Sequence, residues 1–523
     1  MTHFPQGVHH MARMAHVAPG ELARISHDLE TIGCYTNLYS EQALVYAPSD
    51  ADELKQIFEI ARKHRRRVTL RAGAHAFDEQ SMGSDIVVLM TRLRGIEVDV
   101  VDARMTVGAG TTWGEVFDKL EPLGLVPYST VTTRHATCGG TLASDCLSRF
   151  SPAYGKEAEH ILSFEFLTFD GRRVTCTPPP ATKPEPSWTL GEQLFCAAIG
   201  GFGLLGAALS ITYGLLRVGE TDGRIGVESH LRKYRTYRDL ARDLIPMVRE
   251  IVERKRAATF DRSVDPEAVF SALFNVRKSQ YAILLHSRYT TSLARNRLAI
   301  HEPNATFRIA AEWALRSQTV NVVTWPIFYA LLFHEGETYV DDLQGFTFFM
   351  DGNSNANDLG RDLGFAMKAI QQTFVVPAQG GRVANRGWDD ADDRLADFLE
   401  AAHVKFEGHG LEPTLFDVLF IPRDDRAFMS PSRELDGFAV SYAFETSNPA
   451  KLELVKQCFV ELSDDLLAIG GRVSLVKNVH ASVGALSTMY ADGIPKLQAL
   501  KAMVDPDKLL RSDFVARVLP QLL

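Results

Sequence analysis

Cysteine is scarce in this chain of 523 residues: Cys34, Cys138, Cys146, Cys176, Cys196 and Cys458 are the whole set, with no CxxC spacing among them. That pattern excludes a disulfide framework and fits reduced thiols in a cytoplasmic protein. Basic charge is in the minority, since 56 Lys and Arg against 65 Asp and Glu leave a net charge of -9. A dedicated nucleic-acid binder needs a basic face to neutralise phosphates, so the balance argues against that class. The one dense basic run, Lys63-His64-Arg65-Arg66-Arg67, ends a predicted helix, where the macrodipole favours cations. Long apolar runs are missing too. Val320–Phe333 comes nearest, but Asn321, Thr324 and Pro326 interrupt it, and a bilayer span needs roughly 18–20 apolar residues. The opening MTHFPQGVHHMARMAH has no apolar core of the signal-peptide kind. Its His3, His9, His10 and His16 read as a mobile tail rather than as metal ligands.

The remaining composition is that of a globular protein, 46% hydrophobic and 23% charged, and the length predicts two domains. Pro48-Ser49-Asp50 opens a helix with Ser49 as its predicted cap, and Leu54, Ile57, Phe58 and Ala61 mark its buried face. Val68-Thr69-Leu70 predicts a buried strand, followed by the small-residue loop Arg71-Ala72-Gly73-Ala74-His75-Ala76-Phe77. Ile86–Met90 and the alternating stretch from Ile96 to Val107 predict further strands, and Thr111-Thr112 predicts the cap of a helix starting at Trp113. A second glycine-rich loop follows, Thr137-Cys138-Gly139-Gly140-Thr141. Phe164–Phe169 and Arg172–Thr177 predict a hairpin, because Asp170-Gly171 supplies the positive φ of a tight turn. The order of elements indicates mixed α/β structure.

From about Gly219 the character changes. Amphipathic helices around 237–256 and 390–402 alternate with strand-like segments at Tyr281–Leu285, Phe346–Met350, Phe374–Pro377, Asp417–Ile421 and Phe438–Phe444. That predicts an antiparallel sheet covered by helices. Gly201-Phe202-Gly203-Leu204-Leu205-Gly206 spells the dinucleotide fingerprint, whose mechanism needs a strand before it and a helix after it. Here Leu190–Ile199 reads as a helix and Ala207–Leu216 as a strand, so the fingerprint reading is rejected.

These motifs, in this order, resemble the vanillyl-alcohol-oxidase family of FAD enzymes from about residue 36 onward. Thr69–Phe77 is similar to the first pyrophosphate loop of that family, and Thr137–Asp145, closed by Tyr154-Gly155, to the second. Successive backbone N–H groups in small-residue loops form an anion-binding concavity, which makes the pairing physically apt. Phe166–Gly171 with Ile199–Gly206, Gln371–Pro377, Gly470–Asn478, and Val504-Asp505-Pro506 with Phe514–Arg517 resemble later segments of decaprenylphosphoryl-ribose oxidases and of alditol and sugar oxidases. The resemblance implies an α+β fold: a two-lobed FAD-binding PCMH-type domain plus a substrate domain with an antiparallel sheet covered by helices. It implies a division into an N-terminal extension (1–35), the FAD-binding domain (36–218), the substrate-binding domain (219–469) and a C-terminal segment (470–523) that returns to the FAD domain.

The FAD contacts it implies are Arg71, Ala72, Gly73, Ala74, His75, Ala76, Thr133, Thr137, Gly139, Gly140, Ala143, Ser144, Cys146, Gly203, Ala207 and Lys477. His75 stands where covalent members carry the histidine bonded to the flavin, with Ala76 in place of their usual Ser. The alternative for His75 is a hydrogen-bonding residue near the pyrophosphate. His135 occupies the position of the cysteine that makes a second link in other members, so a doubly linked flavin is not expected. Lys477 falls on a lysine beside the flavin pyrimidine edge, where a cation would stabilise the reduced flavin. His480, Tyr442, Asn478 and His334 are weaker candidates for substrate contacts or the base, with packing roles at least as apt. Leu147, Ser441 and Ser474 replace a histidine, a cysteine and a tyrosine of the ribose oxidases, so their substrate does not carry over.

The expected activity is oxidation of a CH–OH group of a sugar, polyol or glycosylated metabolite, with O2 or another acceptor restoring the flavin. The alternative keeps the fold and makes it an NADPH-dependent C=C reductase, or a desaturase or cyclase on an apolar natural product; Trp313, Trp325, Phe328, Tyr329 and Phe333 would suit such a substrate or a packed helix equally. Expected partners are a small-molecule substrate and the electron acceptor, with no metal, no nucleic acid and no integral membrane segment, in a monomer or homodimer.

Overall fold

The structure, a computed structural model, describes residues 25–274, 281–293, 338–350, 368–383, 387–413, 415–445 and 448–523, together with Leu22, Glu335 and Gly336. The N-terminal histidines, His334 and the aromatic stretch from Trp313 to Phe333 lie outside the described residues. None of the described helices is long and apolar enough to cross a membrane.

A first sheet holds β1 (His27–Gly33), β2 (Ser40–Tyr46), β3 (Val68–Arg71) and β4 (Ile86–Leu89) in the order β1-β2-β4-β3. Strands β2, β4 and β3 run parallel. The crossover between β2 and β3 is α1 (Ala51–Lys63), whose Leu54, Ile57, Phe58 and Ala61 pack on Val68, Ile86 and Val88. Its cap is Asp50 rather than Ser49: the Asp50 carboxylate accepts from the N–H groups of Asp52 and Glu53 at 3.0 and 2.9 Å, while the Ser49 hydroxyl donates to Glu53. A carboxylate at the cap also gains from the helix dipole, which a hydroxyl does not. The basic run closes this helix and is matched by acid, with Arg66 Nε on Asp85 at 2.8 Å and Arg65 on Asp507 at 3.3 Å.

The second sheet is antiparallel, β5 (Ile96–Asp99), β6 (Arg104–Gly108), β8 (Ile161–Thr168), β9 (Arg173–Cys176) and β10 (Gly206–Arg217) in the order β5-β6-β10-β8-β9, with β7 (Leu125–Pro127) on the far end of β10. Four helices belong to this part: α2 (Trp113–Leu120), α3 (Cys138–Ser144), α4 (Ser151–Tyr154) and α5 (Leu190–Ala198). The predicted hairpin is present with Gly171 at φ 92°. The GxGxxG segment follows α5 and precedes β10, the reverse of a phosphate-binding turn.

The third sheet has eight antiparallel strands: β11 (Gly226–Tyr234), β12 (Ala268–Phe274), β13 (Tyr281–Thr290), β14 (Thr338–Asp342), β15 (Ala369–Gly380), β16 (Leu415–Ile421), β17 (Leu435–Glu445) and β18 (Arg472–Val473), in the order β14-β11-β13-β12-β16-β17-β15-β18. Helix α6 (Tyr237–Arg256) follows β11. The predicted strand at Phe346–Met350 is instead α7 (Leu343–Met350); the Asp342 carboxylate accepts from Gly345 N–H at 2.8 Å and turns the chain into a helix. Helices α8 (Ala391–Gly408) and α9 (Pro449–Ala468) cover one face, where Phe398, Phe406 and Phe459 meet Phe374, Tyr442 and Phe444. After β18 come α10 (Val483–Met489), α11 (Ile494–Val504) and α12 (Asp513–Val518). The chain then re-joins the first sheet beside β3, with Val68 N–H on Leu509 O and Arg511 N–H on Val68 O, both at 2.9 Å. All six cysteines are free.

Candidate functional site

The first small-residue loop leaves β3 at Arg71, whose buried guanidinium donates to Gly33 O at 2.8 Å and Ser81 Oγ at 3.1 Å. Beyond that anchor, Ala74 sits at φ 62°, a left-handed conformation that turns successive N–H groups to one side. Among the described residues, the N–H groups of Ala72, Gly73 and Ala74 donate to no protein acceptor. The turn is close-packed as well: a Cβ on Gly73 would stand 2.6 Å from His135 O. Next in the loop, the His75 ring lies between Tyr35, at 4.6 Å, and His135, at 5.8 Å and nearly parallel.

The second glycine run is a short helix, α3, rather than a loop. Thr137 caps it, accepting from Gly140 N–H at 3.2 Å, while Cys138 N–H reaches Thr111 O and Gly139 N–H reaches Ala109 O at 2.9 and 2.8 Å. Its N-terminal donors are therefore spent inside the protein. What α3 offers is proximity, because Gly140 faces Ala72 with only 3.1 Å between a built Cβ and the Ala72 methyl. Ser144 donates to Gly140 O at 2.9 Å, and Ala143 O accepts from Phe202 N–H at 3.0 Å, next to Gly203 at φ 71°. The Thr133 hydroxyl is buried without a partner among the described residues. Ala207 lies elsewhere, in the apolar cluster with Leu54, Leu167 and Leu209.

Lys477 is fastened against the first loop. Its ammonium stands 3.5 Å from the centre of the Phe77 ring, and Gln80 Nε2 donates to Lys477 O at 2.8 Å. Asn478 is a pin: its Nδ2 donates to Phe77 O at 2.9 Å and its Oδ1 accepts from Gln371 N–H at 2.9 Å. Cys146, half-buried after α3, is close enough to feel the Lys477 charge, although burial pushes its thiol up to about 12.

The face of the third sheet turned away from α8 and α9 is buried against the segment that follows α3. The register places Thr373, Ser441 and Asp417 side by side across β15, β17 and β16, with Val375, Ala439 and Leu419 in the next row. Leu147 packs on that second row, and Arg149 Nη2 donates to Asp417 Oδ2 at 3.0 Å, so the face turns toward the segment after α3. Thr373 and Ser441 hydroxyls bond at 2.7 Å, and Ser474 N–H donates to Thr373 O at 2.9 Å. Leu147, Ser441 and Ser474, the three departures in the sequence, thus meet on one surface. Asp417 and Arg149 were missed by the sequence reading. Their signal, a charge at alternate spacing in an otherwise apolar strand, becomes specific only with the register.

Tyr442 and His480 lie on the helix-covered side. Tyr442, 1% exposed, packs on Phe406 and Phe374, and the His480 ring stacks near Phe459. His480 N–H donates to Gln372 Oε1 at 2.6 Å, and burial pushes its imidazole down to about 3. The alternation of β15 sends Gln372 and Thr373 to opposite faces, which separates these two residues from the Thr373–Ser441–Asp417 row.

Beneath α3 lie two buried titratable groups. Lys156 Nζ bonds Asp145, Asp424 at 2.9 Å and Ser430 Oγ at 2.8 Å, tying the end of α3 to the segment between β16 and β17. Glu157 accepts from Tyr213 OH at 2.7 Å and Thr141 Oγ1 at 2.9 Å, and burial pushes its carboxyl up to about 8.

Residues 42–177 match the family model described as FAD binding domain. This part of the chain is an FAD-binding domain. Its unspent N–H groups at Ala72–Ala74 and the close approach of Gly73 and Gly140 fit a pyrophosphate, so the site's own donors agree with the match. The fold is that of an FAD-binding PCMH-type domain joined to helices and antiparallel sheet, and FAD is the cofactor. Among curated proteins, the chain is 31% identical over 155 residues to cytokinin dehydrogenase 8 of Oryza sativa subsp. indica, covering 27% of each chain. It is 26% identical over 198 residues to cytokinin dehydrogenase 3 of Arabidopsis thaliana, covering 36% of each. It is 29% identical over 143 residues to D-2-hydroxyglutarate dehydrogenase of Pseudomonas putida, covering 26% of this chain and 14% of that one. The chain thus spans 27% to 36% of the length of the cytokinin dehydrogenases it matches.

Proposed function

We propose that this protein is an FAD-dependent oxidoreductase that oxidises a CH–OH group of a hydroxyl-rich substrate, a sugar, polyol or glycosylated metabolite. The observation that carries the reading is the polar row Thr373–Ser441–Asp417, joined through Thr373 O and Ser474 N–H to the segment that leads to Lys477. Hydroxyls and a carboxylate set side by side satisfy the donors and acceptors of a polyol, whereas an apolar substrate would leave them unpaired. In this reading residues 36–218 and 470–523 hold the cofactor, and 219–469 bind the substrate. FAD supplies a two-electron acceptor when bound. Lys477 supplies positive charge against the cofactor, and the Asp417 carboxylate, whose Oδ1 has no partner among the described residues, stands ready to accept a substrate hydroxyl's proton or hydrogen bond.

The same reading bonds the flavin to His75. The flanking rings of Tyr35 and His135 hold the imidazole plane, which favours attachment at a fixed ring nitrogen. Acid precipitation followed by peptide mapping tests the bond: yellow colour retained on the His75 peptide supports it, and flavin freed to the supernatant removes it. Anaerobic mixing with a panel of polyols and sugars tests the reaction, with bleaching of the flavin expected. Bleaching by NADPH alone would overturn the alcohol reading in favour of C=C reduction. Cytokinins and D-2-hydroxyglutarate belong in the panel because the relatives' names point to them, and bleaching by a cytokinin would likewise displace the polyol reading.

A further inference from the structure

We propose that the buried carboxyl of Glu157 is a proton-sensing group that sets the reduction potential of the bound flavin. It has no part in the oxidation proposed above, and its place in the fold is specific. Glu157 sits under α3, where Thr141 and Tyr213 donate to its Oε1 and Trp113 Nε1 in turn donates to Thr141 Oγ1 at 3.1 Å. Its Oε2 is buried without a partner among the described residues. An ionised carboxylate with one bare oxygen in a buried site is costly, so the neutral acid is the form this pocket accepts.

The link to the cofactor runs through Cys146. Glu157 N–H donates to Cys146 O at 3.4 Å, and the charges of Glu157 and Lys477 both act on the Cys146 thiol, in opposite directions. Thr141, which donates to Glu157, also follows Gly140, whose built Cβ would stand 3.1 Å from the Ala72 methyl of the first loop. When its proton leaves, a negative charge appears in low-dielectric surroundings under the cradle helix and opposes the negative charge of reduced flavin. The potential falls.

The groups facing Glu157 titrate elsewhere. Cys138 from α3 and Tyr213 from β10 are driven far above their ordinary values by burial, and Cys146 is held at about 12. Asp145, raised by burial and drawn back by Lys156, stands at about 6, while Lys156 stays charged between Asp145 and Asp424. Glu157, at about 8, is the member of this cluster that changes charge between pH 7 and 9.

The test is the midpoint potential of the flavin in the holoenzyme, followed against a reference dye from pH 6 to 10. It needs no substrate and so stands apart from the alcohol proposal. Glu157→Gln keeps both acceptor contacts and reproduces the protonated acid permanently. Wild type and Glu157→Gln should run together below pH 7 and separate above pH 8, with wild type the lower. Curves that stay parallel through the whole range would overturn the proposal. Tyr213→Phe removes one donor to the carboxylate and is expected to move the break to higher pH. A break that stays put in that variant would assign it to another group and overturn the proposal as well.

Discussion

Two glycine-bearing segments pack against each other, and they use the same residue type in opposite ways. The first keeps the N–H groups of Ala72, Gly73 and Ala74 without a protein acceptor among the described residues, with Ala74 in the left-handed conformation. The second, Cys138–Ser144, spends its N–H groups on Thr137, Thr111 and Ala109, closing into a helix whose small residues let the first segment approach. In the proposed reading one binds and the other makes room. Thr137 accounts for one of those donors through its cap oxygen, and the carbonyls of Thr111 and Ala109 take two more.

The comparison can be broken at several points. The largest effect is expected at Lys477, on the wall of the first segment. Lys477→Met should slow flavin reduction by substrate about a hundredfold, the usual scale for losing one charge-stabilising group. Stopped-flow absorbance measures it, and an unchanged rate would remove Lys477 from the site. Next come the glycines. On a His75→Ala background, so that flavin exchanges, Gly73→Ala should weaken FAD binding at least about tenfold, equivalent to about 1.4 kcal/mol, because its Cβ meets a backbone carbonyl at 2.6 Å. Gly140→Ala meets a methyl and a hydroxyl at 3.1 Å and should cost clearly less. Equal losses in a fluorescence titration would mean that the two segments do not divide the work as described.

Thr137→Ala sharpens the contrast from the other side. Loss of the cap should destabilise the protein by about 1 kcal/mol in denaturant unfolding, since only the second segment depends on one. A further contrast concerns pH. The Glu157 carboxyl rises from an ordinary 4.5 to about 8 on folding, so the folded protein holds its proton more tightly than the unfolded chain. Its contribution to stability is full below pH 4.5 and is lost as pH rises toward 8. Relative to Glu157→Gln, wild type should lose stability over that interval and no further above it. Unfolding curves that keep a constant separation from pH 4 to 9 would mean the carboxyl is already ionised in the fold.

Much of the cofactor half was legible in the sequence, because its signals are local. A strand running into Ala-Gly-Ala, a threonine before two glycines, and Asp-Gly between two apolar runs each dictate backbone geometry over a few residues. The antiparallel sheet of the second half was legible for the same reason, through its alternating strands. The exceptions were also local: a carboxylate at Asp50 outcompeted Ser49 for the cap of α1, and Asp342 turned Leu343–Met350 into a helix.

The polar row of the third sheet was not legible. Thr373, Ser441 and Asp417 come from strands far apart in the chain, and a slip of one residue in any register would turn one of them to the other side. The same parity decided that Tyr442 and His480 pack under the helices, although their residue types suit catalysis. Glu157 gained its shifted proton affinity only from the walls that α3 and β10 build around it. The sequence by itself determined the local turn of the first small-residue loop, because that depends on the conformational freedom of neighbouring residues. Only the tertiary structure decided which polar side chains stand side by side, because burial, register and charge proximity are properties of separate segments brought together.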